Sequence, residues 1–224
     1  MKKTIAIVVF LIVIAGFLSA LEIKNSTFFG GVSFDYITAN GKEYDIEAKP
    51  FKTTVSGLSV YGGYDVQFGN RLYTRLEYEY LILPTSFNFK GDEVSGEILK
   101  RSGSKKRVGA YVVIGKSDSN IKFNLGGAIT NVTMGVSLNE DGIQFEYVQD
   151  LIGLGLIIEG VYSISNHFTA RFGIVPDVTL LTIDRLDFGY RDMEDSIHKT
   201  SETRSTLLAM GFSVSARAGL SYKF

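Results

Sequence analysis

Apolar and polar side chains alternate strictly along residues 72–83, and this pattern constrains the fold more than any other feature of the chain. The even-numbered side chains are nearly all apolar: Leu72, Thr74, Leu76, Tyr78, Tyr80 and Ile82. The odd-numbered side chains include three charges, on Arg75, Glu77 and Glu79. Successive side chains of a β-strand point to opposite faces. The segment is therefore predicted to be a strand with one face in apolar surroundings and the other in polar surroundings.

Seven more segments alternate in the same way. They are residues 28–36, 58–67, 107–114, 121–130, 153–163, 168–174 and 213–224. Each alternates cleanly over about 10 residues, the length with which a tilted strand crosses a bilayer. In hydrocarbon every strand edge must be paired, and a closed barrel achieves this. The predicted fold class is all-β, a closed up-and-down eight-stranded antiparallel transmembrane β-barrel.

The connections between these segments alternate in length. Short turns are predicted at residues 68–71, 116–120 and 164–167, and long polar loops at 39–52, 84–105 and 176–203, with a hairpin turn at 139–142. Short turns at one rim and long loops at the other are typical of outer-membrane barrels, whose short turns face the periplasm. Aromatic residues near strand ends suggest an interfacial girdle: Tyr64, Phe68, Tyr73, Tyr162 and Phe168.

A soluble eight-stranded barrel, with its apolar face inside, would show the same alternation. The start of the chain favours the membrane alternative. Lys2 and Lys3 precede an apolar run at residues 4–17 and the small residues Ser19 and Ala20, which is the layout of a cleaved secretory signal peptide. An uncleaved anchor is the alternative for this run. The predicted organisation is a signal peptide at residues 1–20 and a barrel domain at residues 21–224.

The last strand ends in Leu220, Tyr222 and Phe224, all on one face. A terminal Phe preceded by apolar residues at this spacing looks like the signal that the outer-membrane assembly machinery reads. With the predicted signal peptide and the eight predicted strands, the chain resembles the small outer-membrane β-barrel proteins of the OmpA-transmembrane, OmpX and OmpW type. The resemblance implies a monomer in the bacterial outer membrane, with lipid and the barrel-assembly machinery as its partners.

Composition excludes several functions. The 23 basic and 24 acidic residues nearly cancel, which removes the electrostatic argument for nucleic-acid binding. Without cysteine there is no disulfide, thiol nucleophile or lipid-anchored N-terminus. No metal or cofactor is expected. Asp195, Ser196 and His198 lie close in sequence, but adjacency is not triad geometry, so we expect no enzymatic activity.

The side chains that alternate with the apolar ones are predicted to face the lumen, and ten of them are charged. The acids are Asp35, Asp65, Glu77, Glu79 and Glu159, and the bases are Arg75, Arg107, Lys122, Arg171 and Arg217. An eight-stranded barrel encloses only enough space for side chains to fill, and buried charges require partners. We therefore expect a plug of ion pairs. A conducting channel is the alternative.

Toward the rim with long loops, the side chains at the inward-facing positions become apolar. They are Leu81, Val132, Met134, Val136, Phe145, Tyr147 and Leu151. Meanwhile Asn131 and Thr133 make the opposite face polar, so the strands at residues 121–163 are predicted to extend beyond the bilayer as a tall hairpin. The apolar side either packs against other loops or forms a small apolar vestibule. The OmpW-like resemblance implies a vestibule for hydrophobic solutes.

The expected function is structural or adhesive, through loops at the cell surface. The alternative is a narrow channel or binding site for small, hydrophobic solutes. Binding of a host or surface protein along a strand edge is a third possibility.

Overall fold

The computed structural model describes residues 23–42, 50–89, 92–93, 100–116, 118–140, 143–191 and 197–224. Its strands are β1 (Ile23–Lys42), β2 (Pro50–Phe68), β3 (Leu72–Phe89), β4 (Asp92–Glu93), β5 (Lys100–Ile114), β6 (Ile121–Glu140), β7 (Ile143–Ser163), β8 (Phe168–Arg191) and β9 (Ile197–Lys223). In these ranges no helix is long and apolar enough to span a membrane. The predicted signal peptide, residues 1–20, lies outside them.

All strands except β4 form one closed barrel. They pair antiparallel in the order β2-β1-β9-β8-β7-β6-β5-β3, and pairing of β2 with β3 closes the ring. The two-residue strand β4 pairs only with the end of β3. The prediction of an eight-stranded, closed, antiparallel barrel is confirmed.

The barrel is apolar outside and charged inside. On β3, Leu76 is 59% exposed and Tyr78 49%, whereas Arg75 is 1% and Glu77 6% exposed. The same contrast surrounds the barrel, because all eight of its strands expose large apolar side chains. Soluble monomers rarely expose an apolar patch of this extent. The soluble alternative is therefore wrong, and the outer belt is built to face hydrocarbon.

The strands are longer than the alternation predicts. Segments predicted as long polar loops continue the ladder, since β1 runs to Lys42, β3 to Phe89 and β8 to Arg191. On β6 and β7 the outward face becomes polar above the apolar belt, where Thr133 donates a 2.5 Å hydrogen bond to Asp150. In water both faces of a strand can be polar, so the backbone pairing continues where the alternation disappears.

The rim with short turns carries a cluster of outward aromatic rings. Phe28 lies 4.7 Å from Tyr64 and 5.3 Å from Phe224 between ring centroids, and Tyr222 contacts both Phe168 and Phe224 at 5.0 Å. An aromatic girdle is typical of this position.

Two of the predicted girdle residues do not belong to it. Phe68 is buried, and Tyr73 points into the barrel, where it stacks on Tyr111 with the ring centroids 5.1 Å apart. Tyr73 shares the inward parity of Arg75. Its position near a strand end therefore says nothing about which face it occupies.

Candidate functional site: a charge network across the lumen

Inward side chains from all eight barrel strands meet in one network of hydrogen bonds and ion pairs, in which contacts of 3.6 and 3.7 Å join two hydrogen-bonded groups. Its charged members are Asp35, Asp65, Arg75, Glu77, Glu79, Lys105, Arg107, Glu159, Arg171, Asp177 and Arg217, each at most 6% exposed. Six acids face five bases, so nearly every charge can be paired. Such pairing is what burial of charge requires.

Arg75 organises the layer nearest the short turns. Its Nε donates to Asp65 at 2.9 Å, and its two terminal nitrogens each donate to Glu159 at 2.8 Å. The guanidinium carbon lies 4.6 Å from the ring centroid of Phe29 and 4.8 Å from that of Tyr111. A bidentate Arg–carboxylate pair covered by aromatic faces is among the stronger ion pairs that proteins make.

Two further arginines share the middle layer with two glutamates. Glu77 accepts from Arg107 at 2.6 Å and from both terminal nitrogens of Arg217 at 2.7 and 2.9 Å. Arg107 also donates to Glu79 at 2.8 Å, and Glu79 in turn accepts from Ser33. Because Arg107 binds two carboxylates through one nitrogen, loss of either partner disturbs the other.

The third layer joins the remaining charges to hydroxyl groups. Lys105 donates to Asp35 at 2.5 Å and to Ser215 at 2.7 Å. Arg107 reaches upward to Asp177 at 3.1 Å. Asp177 also accepts from Thr130 at 2.7 Å and from Ser213 at 2.8 Å.

Inward glycines leave the space that these large side chains occupy. A Cβ added at Gly155 would lie 2.0 Å from Oδ1 of Asp177, its cross-strand partner. A Cβ at Gly63 would lie 2.5 Å from the ring of Phe29, the ring that also covers Arg75. Glycine at these two positions is a packing requirement of the network.

The structure brings together nine of the ten charged residues predicted for the lumen: Asp35, Asp65, Arg75, Glu77, Glu79, Arg107, Glu159, Arg171 and Arg217. It does not include Lys122, which is half-buried closer to the short turns and lines a cavity there. The alternation along a strand predicts which face a residue occupies, but it does not predict the height of that residue along the barrel axis. Lys122 is therefore a correction to the prediction.

The sequence reasoning missed two network members, Lys105 and Asp177. Both lie in stretches predicted as loops, although the structure places them inside β5 and β8. Lys105 lies on the same strand face as Arg107, and Asp177 lies on the same face as Arg171. Lys105 is reached by continuing the alternation two residues back from Arg107, and Asp177 by continuing it six residues on from Arg171.

An apolar layer lies directly above the charges. Leu81, Val132, Met134, Val136 and Leu151 form one buried cluster with Ile37, Ala39 and Val55. Tyr147 is also buried and donates a 3.0 Å hydrogen bond to Asp184. Phe145 is only partly buried and lies outside the cluster. These described side chains pack against one another, so this part of the mouth is filled and not an open vestibule.

The remaining predicted residues are those of the C-terminal assembly signal and of residues 195–198. Leu220 and Tyr222 project from the outer face of β9, and Phe224, exposed as well, directly follows its last residue. Asp195 and Ser196 lie outside the described residues, and of His198 only the backbone, in β9, is described. Among the described residues no three His, Asp or Glu side chains are grouped as a metal site.

A closed eight-stranded barrel with a lipid-facing apolar belt and a polar interior has the architecture of small outer-membrane β-barrel proteins. Solved structures agree with this class. The chain is similar to Neisserial surface protein A, with 13% sequence identity, a TM-score of 0.52, and 88% of this chain and 97% of that chain covered. It is also similar to the outer membrane protein OprG from Pseudomonas aeruginosa, with 16% identity, a TM-score of 0.51, and 91% and 97% covered.

A third similar structure is a major outer membrane protein from Thermus thermophilus. Here the identity is 12% and the TM-score 0.51, with 86% of this chain and 99% of that chain covered. No family model matches the chain, and no curated protein matches it in sequence. The likeness is therefore one of fold.

Proposed function

We propose that the chain is an integral protein of the bacterial outer membrane that acts by surface interaction, with its barrel as a closed, non-conducting anchor. The short turns face the periplasm and the strand extensions face the outside. A cleaved leader directs export, and the assembly machinery reads Leu220, Tyr222 and Phe224 on the last strand. No catalytic step and no cofactor is part of this function.

The observation that carries the proposal is the continuous network across the lumen. Opening a pore would separate Arg75 from Glu159 and Arg217 from Glu77 together, since their hydrogen bonds bridge strands on different sides of the barrel. Removing the partner of one buried charge costs about 3–5 kcal/mol. Breaking several such contacts at once exceeds what thermal fluctuation supplies.

The surface that remains for function is the sheet above the apolar belt. Strands β6 to β9 continue there as a paired wall, with Arg185 bridging Glu146 at 3.8 Å and Asp187 at 3.1 Å on half-exposed side chains. Such surface pairs add little stability. A rigid wall with charged side chains in water suits recognition of another protein.

Display of the full chain on a non-adherent bacterium tests the surface role. We expect the displayed protein to increase attachment to matrix-coated surfaces, and a triple variant with Glu146, Arg185 and Asp187 changed to Ala to reduce it. Lys116→Ala, on an exposed residue at the opposite rim, is the matched control and should leave attachment unchanged. Equal attachment with and without the protein would contradict the proposal.

A second candidate, binding or passage of small hydrophobic solutes, rests on the apolar cluster around Leu151. It requires that cluster to open. Titration with a fluorescent polyaromatic probe separates the two candidates. Saturable binding that is lost in Leu151→Asn, but kept in Ile152→Asn on the outward face, would favour the solute function.

A further inference from the structure

A cavity of about 360 Å³ opens at the rim with short turns, on the opposite side of the charge network from the apolar cluster. Arg171, Tyr111 and Asn124 line its inner end, and residues 118–120 and 165–166 line its outer end. The volume is at the lower end of the range for small-molecule sites.

The inner end of this cavity holds a hydrogen-bond donor without an acceptor. Arg171 uses Nη2 on Asp65 at 2.7 Å and Nε on Ser221 at 3.0 Å. Its Nη1 is buried and makes no hydrogen bond, because the Oε2 atom of Glu159 is 3.7 Å away. A buried N–H that lacks an acceptor costs free energy, so a ligand oxygen that reaches this nitrogen would supply the missing hydrogen bond.

The charge of the wall is also suited to an anion. Lys122, Arg171 and Lys223 line the cavity together with a single acid, Asp118. Because Arg171 is already paired with Asp65, the rest of the lining carries two positive charges and one negative charge. Lys122 is half-buried and makes no ion pair with another described side chain. Around these cations the lining consists largely of serine, threonine and asparagine side chains.

One wall of the cavity is aromatic. Tyr73 and Tyr111 both line it, and their rings are stacked with an interplanar angle of 7°. The Tyr111 hydroxyl is already used on Asp65 at 2.8 Å. Arg75 lies over the other face of Tyr111, so the ring that can contact an apolar or aromatic group is that of Tyr73.

We propose that this cavity binds the oxyanion group, a carboxylate or a phosphate, of a small solute on the periplasmic side. Arg171 and Lys122 bind the oxygens, and the ring of Tyr73 contacts the apolar or aromatic part of the same molecule. The site is independent of the surface role, since it opens at the opposite rim.

The test is a titration of the isotope-labelled full-length protein in detergent micelles, followed by nuclear magnetic resonance. The probes are benzoate, phenyl phosphate and the neutral analogue benzamide. We expect saturable shifts of amides in residues 119–124 and 163–171 with at least one anion, and binding of benzamide about tenfold weaker because it lacks the charge. Whichever anion binds more tightly identifies the oxyanion.

Two variants localise the effect. Lys122→Gln should weaken anion binding about three- to tenfold, as expected for loss of one partly buried charge contact. Lys116→Gln removes an exposed lysine from the same rim outside the cavity and should leave binding unchanged. The proposal is overturned if neither anion gives saturable shifts, if benzamide binds equally well, or if both variants weaken binding equally. The benzamide comparison uses the unaltered protein and so does not depend on folding of a variant.

Discussion

Replacement of Arg75 by Met tests the energetic importance of the network most sharply. Met keeps much of the side-chain volume but removes the charge and every donor. Glu159 then loses two hydrogen bonds of 2.8 Å, and Asp65 loses two of 2.9 and 3.3 Å, all in a buried region. The cation–π contacts of Arg75 with Phe29 and Tyr111 are lost as well.

The expected cost follows from these contacts. Leaving a buried charge without its partner costs about 3–5 kcal/mol. Arg171 still reaches Asp65 at 2.7 Å, and Asn124 still donates to Glu159 at 3.2 Å, which places the cost near the lower limit, about 3 kcal/mol. Adding Glu159→Gln removes the uncompensated charge. We expect the double variant to be about 2 kcal/mol more stable than the sum of the two single changes.

Urea unfolding in lipid vesicles measures this. Because the chain has no Trp, the transition is followed by far-ultraviolet circular dichroism and by the gel mobility of unboiled samples. Lys122→Met is the matched control, since Lys122 shares the inward parity but lies outside the network, and it should change the free energy of unfolding by less than about 1 kcal/mol. A cost for Arg75→Met below that of this control, or strict additivity in the double variant, would refute the reasoning.

Two other changes test packing and assembly. Gly155→Ala places a methyl group against the carboxylate of Asp177 and should cost about 1–3 kcal/mol in the same unfolding assay; Gly127→Ala, whose Cβ would have its nearest neighbour at 3.7 Å, should be nearly neutral. An equal cost at both glycines would contradict the packing argument. Phe224→Ala removes the ring that contacts Phe28 at 5.3 Å and the terminal assembly signal, so less heat-modifiable barrel should accumulate in the envelope. Unchanged accumulation would exclude that role.

Much of the fold could be predicted because hydrocarbon imposes a strict pattern. Within the belt every outward side chain must be apolar, and the lumen collects the charges, so Arg75, Glu77 and Glu79 could be assigned to one face from the sequence alone. Above the belt the outward face meets water and need not be apolar, so the alternation disappears there. Lys105 and Asp177 lie at the ends of stretches predicted as loops, and they were missed for that reason.

The site was predicted less completely than the fold, since alternation carries no information on height or on side-chain packing. It could not separate Lys122, which faces the cavity, from Arg171, which joins cavity and network. Nor could it show that Leu151 and its neighbours are packed together while Phe145 is left outside. Those outcomes depend on the register between strands, which only the three-dimensional structure gives.

The central claim, that the lumen is closed, is tested most directly by single-channel recording in planar bilayers. The unaltered protein should insert without producing stable current steps. A variant with Glu77, Glu79, Arg107 and Arg217 all changed to Ala removes the middle layer of the network and should produce steps, which also controls for insertion. Stable single-channel steps from the unaltered protein would contradict the account.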